Sequence, residues 1–281
     1  MSLQSATIET LPWVAAELNY LAPPREKPRT YTYDPPSGQP RTTAVNEPHR
    51  VQISNARPIL REVSLDEEGF GLLQHKSRVR DFHDDDEVRR VYYKEAEQLL
   101  KEVTGADRVH IFDHTVRRRI PGAEDRQVAG TRQPVPRVHV DHTETSGPQR
   151  VRDLLPEEAE HLLRGRVQII NLWRPIRGPL RDSPLAVCDA STVAASQLVA
   201  SDLVYPNRVG ETYSVTFDPE HRWYYVPDMA VDEVLLLKCY DSKTDGRSRF
   251  APHTAFTDPT TPGDAPPRES IELRALVFHA E

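Results

Sequence analysis

Apolar and polar side chains alternate through Arg137-Val138-His139-Val140-Asp141, the period-two pattern of a strand. Apolar runs at 167–173 (VQIINLW), 234–240 (VLLLKCY) and 271–278 (IELRALVF) predict further strands, as do shorter stretches at 51–60, 109–112, 213–217 and 223–226. The period turns helical over 84–104. Asp84, Asp85 and Asp86 open that segment, where acidic groups meet the positive end of a helix dipole. Val88, Val91, Tyr92, Ala96, Leu99, Leu100 and Val103 then recur at helical spacing, and Gly105 ends it. Two further helices are predicted: 156–165, opened by Pro156 with Glu157 and Glu158 and closed by Gly165, and 190–203. Residues 22–50, rich in Pro, Arg and Thr, read as an extended arm on the surface. Residues 113–136, with Arg117-Arg118-Arg119, read as a long basic loop.

About eight strands thus fill the last two-thirds of the chain behind one helix, which indicates a mainly β fold with flanking helices, a sandwich or a barrel. A length of 281 residues suits a single domain: residues 1–60 an N-terminal arm, 105–281 a β core with helical insertions. The formal net charge of -7 gives no reason to expect nucleic acid as a partner. Cys188 and Cys239 form no CxxC pattern and read as buried thiols of a reducing compartment. The N-terminus has no basic start followed by an apolar core, and no apolar run is long enough to span a membrane, so a cytoplasmic protein is expected.

Side chains at i and i+2 of a strand share a face, so His139 and Asp141 project side by side. An imidazole and a carboxylate placed so can share a metal ion, and a second histidine completes a facial triad with three positions left open. A His-x-Asp motif arises easily by chance; the chain holds a second at His83-Asp84-Asp85, where a helix-capping acid cluster is the simpler account. The strand motif is followed 114 residues later by His253, and 15 residues after that by Arg268, with Ser270 on the same strand face. A guanidinium takes a carboxylate bidentately and a hydroxyl adds a donor, as the tail of 2-oxoglutarate requires.

This order resembles the iron(II)/2-oxoglutarate-dependent oxygenase superfamily. Asn171-Leu172-Trp173-Arg174-Pro175, Trp223-Tyr224-Tyr225-Val226-Pro227-Asp228-Met229, Lys238-Cys239-Tyr240-Asp241-Ser242, Pro252-His253-Thr254-Ala255-Phe256 and Pro267-Arg268-Glu269-Ser270-Ile271-Glu272-Leu273-Arg274 extend the likeness from about Ala6 to the C-terminus. Together they resemble the family of the cephamycin 7α-methoxylation hydroxylase, the fungal gibberellin-desaturase-like enzymes and the endoperoxide-forming oxygenase of novofumigatonin biosynthesis. The resemblance implies a distorted double-stranded β-helix of jelly-roll, cupin-like type. It implies Fe(II), 2-oxoglutarate as co-substrate and O2, with succinate and CO2 as co-products. It further implies hydroxylation, desaturation or oxidative cyclisation of a small molecule of secondary metabolism, a natural product or amino-acid derivative; a homodimer is compatible with it. The interval between His139 and His253 is long for the superfamily and must hold an insertion.

Several assignments stay open at this level. Arg274 shares the face of Arg268 and rivals it for 2-oxoglutarate; otherwise it is a buried arginine paired with Glu272 or another acid. Asn171 can bond the co-substrate and Trp173 can wall the substrate, or both can be core. Arg174 points to the opposite face. Only one of Tyr224 and Tyr225 can line a pocket. Arg117 can meet an anionic substrate, or belong to a solvated charge run. His110, His114, His142 and His279 read as core, surface or solvated residues rather than ligands. Two rival functions remain: a metal-dependent enzyme that does not use 2-oxoglutarate, zinc included, and an accessory subunit of a tailoring complex.

Overall fold

The computed structural model describes residues 11–123 and 132–280; the first ten residues, part of the stretch read for a leader, and 124–131 of the basic loop lie outside the described residues. The larger of two sheets holds nine strands, β1 (Trp13–Leu21), β2 (Arg29–Tyr31), β3 (Asn46–Asn55), β6 (His139–Val140), β8 (Leu185–Cys188), β9 (Leu198–Val204), β10 (Val209–Val215), β11 (Trp223–Tyr225) and β13 (His253–Ala255). Their order is β1-β3-β11-β8-β13-β6-β10-β9-β2. The smaller sheet holds β4 (Phe70–Gln74), β5 (Arg108–Arg118), β7 (Val167–Pro175), β12 (Glu233–Asp241) and β14 (Glu269–Phe278), all antiparallel, in the order β4-β12-β7-β14-β5. The result is a distorted double-stranded β-helix of jelly-roll type with one sheet curled into a half-barrel.

Strands β7 and β12 are buried at every position because each has a layer on both sides. Ile169, Trp173, Leu235 and Leu237 face the interior between the sheets. Ile170, Leu172, Val234 and Leu236 face helix α1 (Tyr93–Thr104). That helix is entered through a helical turn at Asp85–Glu87 and a π-helical turn at Val88–Tyr92. The Asp84 carboxylate accepts from the Glu87 N–H at 3.1 Å, and Gly105 ends the helix at φ 67°. Val88, Tyr92, Ala96 and Leu100 are buried, whereas Val103 faces solvent.

A third apolar cluster covers the outer face of the larger sheet, with Tyr20, Ile53, Trp223 and Phe256. The Tyr20 hydroxyl accepts from Trp223 Nε1 at 2.6 Å and meets His221 Nδ1 at 3.1 Å. Residues 22–50 include β2 and the start of β3, so the N-terminal region enters the sheet as paired strands.

Four expectations are corrected. Residues 190–203 are not a helix: two 3-10 turns (Ala190–Thr192 and Ala195–Gln197) lead into β9, because pairing with β10 outweighs the local helix propensity. The helix expected at 156–165 shrinks to α3 (Ala159–Leu162), and a longer one, α2 (Ser146–Leu154), precedes it. The basic loop begins later than 113, since β5 runs to Arg118 along the edge of its sheet, where polar side chains can face water. Ile59 closes a 3-10 turn rather than a strand. Among the described residues, no helix is long and apolar enough to cross a membrane.

Candidate metal centre

Strands β6 and β13 are neighbours in the larger sheet, and His139 and His253 are direct cross-strand partners. Asp141 follows at the end of β6. One ligand atom from each of the three side chains lies within 4.8 Å of the others. His139 Nε2 stands 3.5 Å from Asp141 Oδ1, and the two imidazole centroids are 4.5 Å apart. Both rings are buried, His139 at 7% and His253 at 3% exposure.

The tautomers are fixed by the backbone. His139 Nδ1 lies 2.8 Å from the Arg137 carbonyl and His253 Nδ1 lies 3.1 Å from the Ala251 carbonyl. A carbonyl only accepts, so each Nδ1 carries the proton and each Nε2 keeps its lone pair for a ligand. Burial, together with His253, pushes the His139 imidazolium down to about 4, so the ring is a neutral donor at neutral pH. Burial alone would raise the Asp141 carboxyl; Arg274 and the two imidazoles outweigh it and hold it well below the carboxylate range. Two imidazole nitrogens and one ionised carboxylate oxygen, within 4.8 Å of one another, suit non-haem iron(II) with open positions.

On the smaller sheet, the facing strands supply the opposite wall. Arg268 immediately precedes β14, Ser270, Glu272 and Arg274 alternate along its start, and Trp173 and Asn171 on β7 are the cross-strand partners of Glu272 and Arg274. His139, His253, Trp173, Arg268, Glu272 and Arg117 line one cleft. The two arginines in competition differ in their bonds. Arg274 donates to Asp141 Oδ2 at 2.9 Å, to Glu272 Oε2 at 2.6 Å and to Thr115 Oγ1 at 3.1 Å. Arg268 is 3% exposed, donates to Ser270 Oγ at 3.0 Å and the Ser183 carbonyl at 2.9 Å, and stacks 4.8 Å over the Trp173 ring. It makes no ion pair among the described residues. Burial and nearby Arg117 push its guanidinium down to about 9.

The other candidates fall in different places. Asn171 is fully buried and donates to Asp141 Oδ2 at 2.8 Å and Glu272 Oε1 at 3.0 Å. Arg117, at the cleft, donates to the Gln133 carbonyl at 2.9 Å. Tyr224 is buried in the core against Phe70, in the row of the sheet that runs through Val187 to His253, and is not itself among the residues that line the cleft. Arg174 points to the other side of its strand, toward Phe82 and Tyr92. His142 is buried and edge-on to Phe112; His114 pairs with Tyr93 on the outer side of β5; His279 bonds Gln168 at 2.8 Å instead of facing water freely. The His83 motif does cap a helix. Asp182, whose carboxylate takes the Arg268 N–H at 3.0 Å, and Ser183 carry no sequence signal that marks them as part of the site.

A family model described as an oxidoreductase/YMDC permease-like domain matches residues 18–278. The hydroxylase/desaturase efuI of Hormonema carpetanum is 39% identical over 248 residues, covering 81% of this chain and 83% of that protein. The hydroxylase/desaturase CTB9 of Cercospora beticola is 33% identical, covering 95% of this chain and 87% of that protein. The solved structure of the iron and alpha-ketoglutarate-dependent endoperoxidase NvfI superposes with a TM-score of 0.86 at 31% identity, over 96% of this chain and 99% of that one. The relative of that name in Aspergillus novofumigatus is described as an Fe(II)/2-oxoglutarate-dependent dioxygenase. With a His-Asp-His cluster at the junction of β6 and β13, the chain belongs to the Fe(II)/2-oxoglutarate-dependent hydroxylase/desaturase family of fungal secondary metabolism.

Proposed function

We propose that His139 Nε2, Asp141 Oδ1 and His253 Nε2 hold iron(II), and that Arg268 with Ser270 anchors the distal carboxylate of 2-oxoglutarate. Iron(II), 2-oxoglutarate and dioxygen together supply an oxidant able to remove hydrogen from an unactivated carbon, with succinate and CO2 as co-products. The chain's own part is to bind, orient and exclude water. The imidazoles bind as neutral donors, and Asp141 adds one negative charge. The buried guanidinium of Arg268, without an ion pair among the described residues, is the observation that carries the assignment: a cation in low dielectric calls for an anion. Arg274 and Asn171, the other candidates for that carboxylate, already spend their donors on Asp141 and Glu272. Trp173 packs beneath Arg268 and shields the cleft from water, while Arg117 and Trp173 border the space a natural-product substrate would enter.

The outcome of oxidation follows from which hydrogen is presented, and hydroxylation, desaturation and ring or peroxide formation all lie within the same site. Two free buried thiols, Cys188 and Cys239, support action in a reducing, cytoplasmic compartment. Pairing of the first strands into the sheet that carries the ligands supports a chain that works as one catalytic unit.

The test is an anaerobic titration with iron(II) and then 2-oxoglutarate, followed through the weak visible charge-transfer band. Wild type develops the band, His139→Ala and His253→Ala do not, and Arg268→Gln needs far more 2-oxoglutarate. Oxygen-dependent succinate formation separates this reading from a hydrolase. An unchanged band in His253→Ala overturns the ligand assignment.

A further inference from the structure

Asp141 is the one ligand whose position is set from the opposite sheet. Its Oδ2 accepts from Asn171 Nδ2 at 2.8 Å and from Arg274 Nε at 2.9 Å. Asn171 and Arg274 are themselves direct cross-strand partners on β7 and β14. A second buried carboxylate, Glu272, closes the ring, accepting from Asn171 Nδ2 at 3.0 Å and from Arg274 Nη2 at 2.6 Å. Four side chains therefore form one connected loop, with Asn171 fully buried and Glu272 at 6% exposure.

We infer that Asn171, Arg274 and Glu272 are a clamp that aims the Asp141 carboxylate, so that Oδ1 alone is offered to the metal; this rests on the metal-site reading above. An acetate-sized group has two equivalent oxygens and can bind a cation through either or both. Here Oδ2 is occupied by two donors, one of them charged, and a third bond at that oxygen would displace one of them. The amide orientation of Asn171 follows from chemistry: both of its neighbours are carboxylates that can only accept, so the NH2 faces them. The Arg274 fork spans both carboxylates at once, which a point-charge lysine cannot copy. It also ties up Glu272, which lines the same cleft, by an ion pair at 2.6 Å, while Asn171 holds its other oxygen. These are positioning residues, acting on the metal through Asp141.

The inference makes a prediction opposite in sign to plain electrostatics. Removing a cation beside a dication site should tighten metal binding if charge alone mattered. Removing a clamp should weaken it, by about 10- to 100-fold as for other residues that orient metal ligands.

The experiment titrates the apoprotein with cobalt(II), read by its visible absorption, with no turnover involved. Arg274→Gln and Asn171→Ser should each bind cobalt about 10- to 100-fold more weakly than wild type. Val209→Ala, at an exposed position outside the clamp and the cleft, should bind it as wild type does. Glu272→Gln keeps both donors on Asp141 and should stay within a few-fold. Melting temperature is followed in parallel, and Asn171→Ser carries the test if Arg274→Gln does not fold. Wild-type or tighter cobalt affinity in both clamp variants overturns the clamp while leaving the triad standing. If wild type takes up no stoichiometric cobalt, or His139→Ala takes it up equally, the metal-site reading itself has failed.

Discussion

His139 and His253 sit opposite each other on adjacent antiparallel strands, and each binds its Nδ1 to the carbonyl two residues before it. The same local device is used twice, 114 residues apart. Both carbonyls belong to residues just ahead of the strands, so each ring is held by the chain that leads into its own strand. The two rings, in register across the sheet, stand with their centroids 4.5 Å apart.

Chelation should therefore lower the stability of the loaded protein but not that of a ligand variant. A metal that binds only the folded state adds RT ln(1 + [M]/Kd), about 2.7 kcal/mol at a hundredfold excess over Kd. Wild type in excess iron(II) or cobalt(II) should lose several degrees of Tm on addition of a chelator, and His253→Ala should lose none. A chelator-insensitive wild type would contradict metal binding at this site.

Arg268 yields a trade of stability against function. A buried guanidinium without an ion pair costs the protein that carries it, and an apolar residue of similar length is often neutral or stabilising in such a position. Arg268→Met should melt at or above the wild-type temperature when 2-oxoglutarate is absent. Added 2-oxoglutarate should raise the Tm of metal-loaded wild type and leave the variant unmoved. A variant that still gains Tm from 2-oxoglutarate would move the anchor elsewhere.

Much of the site was legible because its residues sit on strands. The alternation around Val138 and Val140 put His139 and Asp141 on one face, and the same period put Arg268, Ser270, Glu272 and Arg274 together. Helix α1 was legible through Asp84 and Gly105. Helix α2 was hidden because Gly147 and Pro148 look like breakers, although proline is tolerated in a first turn, where N–H groups have no intrahelical partner. Strand β9 was read as helix because it ends a stretch, 190–203, rich in Ala and Ser; only its pairing with β10 decides otherwise. Glu272 was readable as a partner of Arg274, two residues away. The closure of that pair on Asp141 was not, since it depends on how closely two sheets approach.

Away from the site, Lys238 is fully buried between two carboxylates, with Nζ 2.9 Å from Asp241 Oδ2 and 2.6 Å from Asp66 Oδ1. Arg166 adds a bond to Asp241 at 2.6 Å. Burial alone would raise the Asp241 carboxyl, but the bonds from Arg166 and Lys238 prevail and lower it. A carboxylate lowered in the folded state contributes stability above its unfolded value, near 4, and that contribution is lost as pH falls through the folded one. Asp241→Asn should cost about 3–5 kcal/mol at pH 7, the cost of breaking a buried pair. The gap between variant and wild type should narrow on acidification below about pH 4. Urea midpoints from pH 7 to pH 2 measure this, and a gap that is constant with pH would sink the argument.

Helix α2 follows the ligand strand β6 and packs against β12. Gly147 lies in the first turn of α2, flat against the ring of Tyr240 on β12: a Cβ built there would stand 2.6 Å from Cδ2 and 2.7 Å from Cγ. In an exposed helix, alanine would gain about 1 kcal/mol over glycine. Here the clash must be relieved, either by moving α2 off β12 or by tilting a ring that also meets Phe250 at 6.1 Å. Overpacking of this kind costs about 1–3 kcal/mol, so Gly147→Ala should come out destabilised despite the better helix former. Tyr240→Leu alone should also destabilise, through the lost ring. In the double variant the leucine leaves room for the new methyl, so its loss should be smaller than the sum of the two single losses. Chemical denaturation of all four proteins gives this coupling directly. Strict additivity would mean that the helix shifts freely, and that the ring does not fix the distance between α2 and β12.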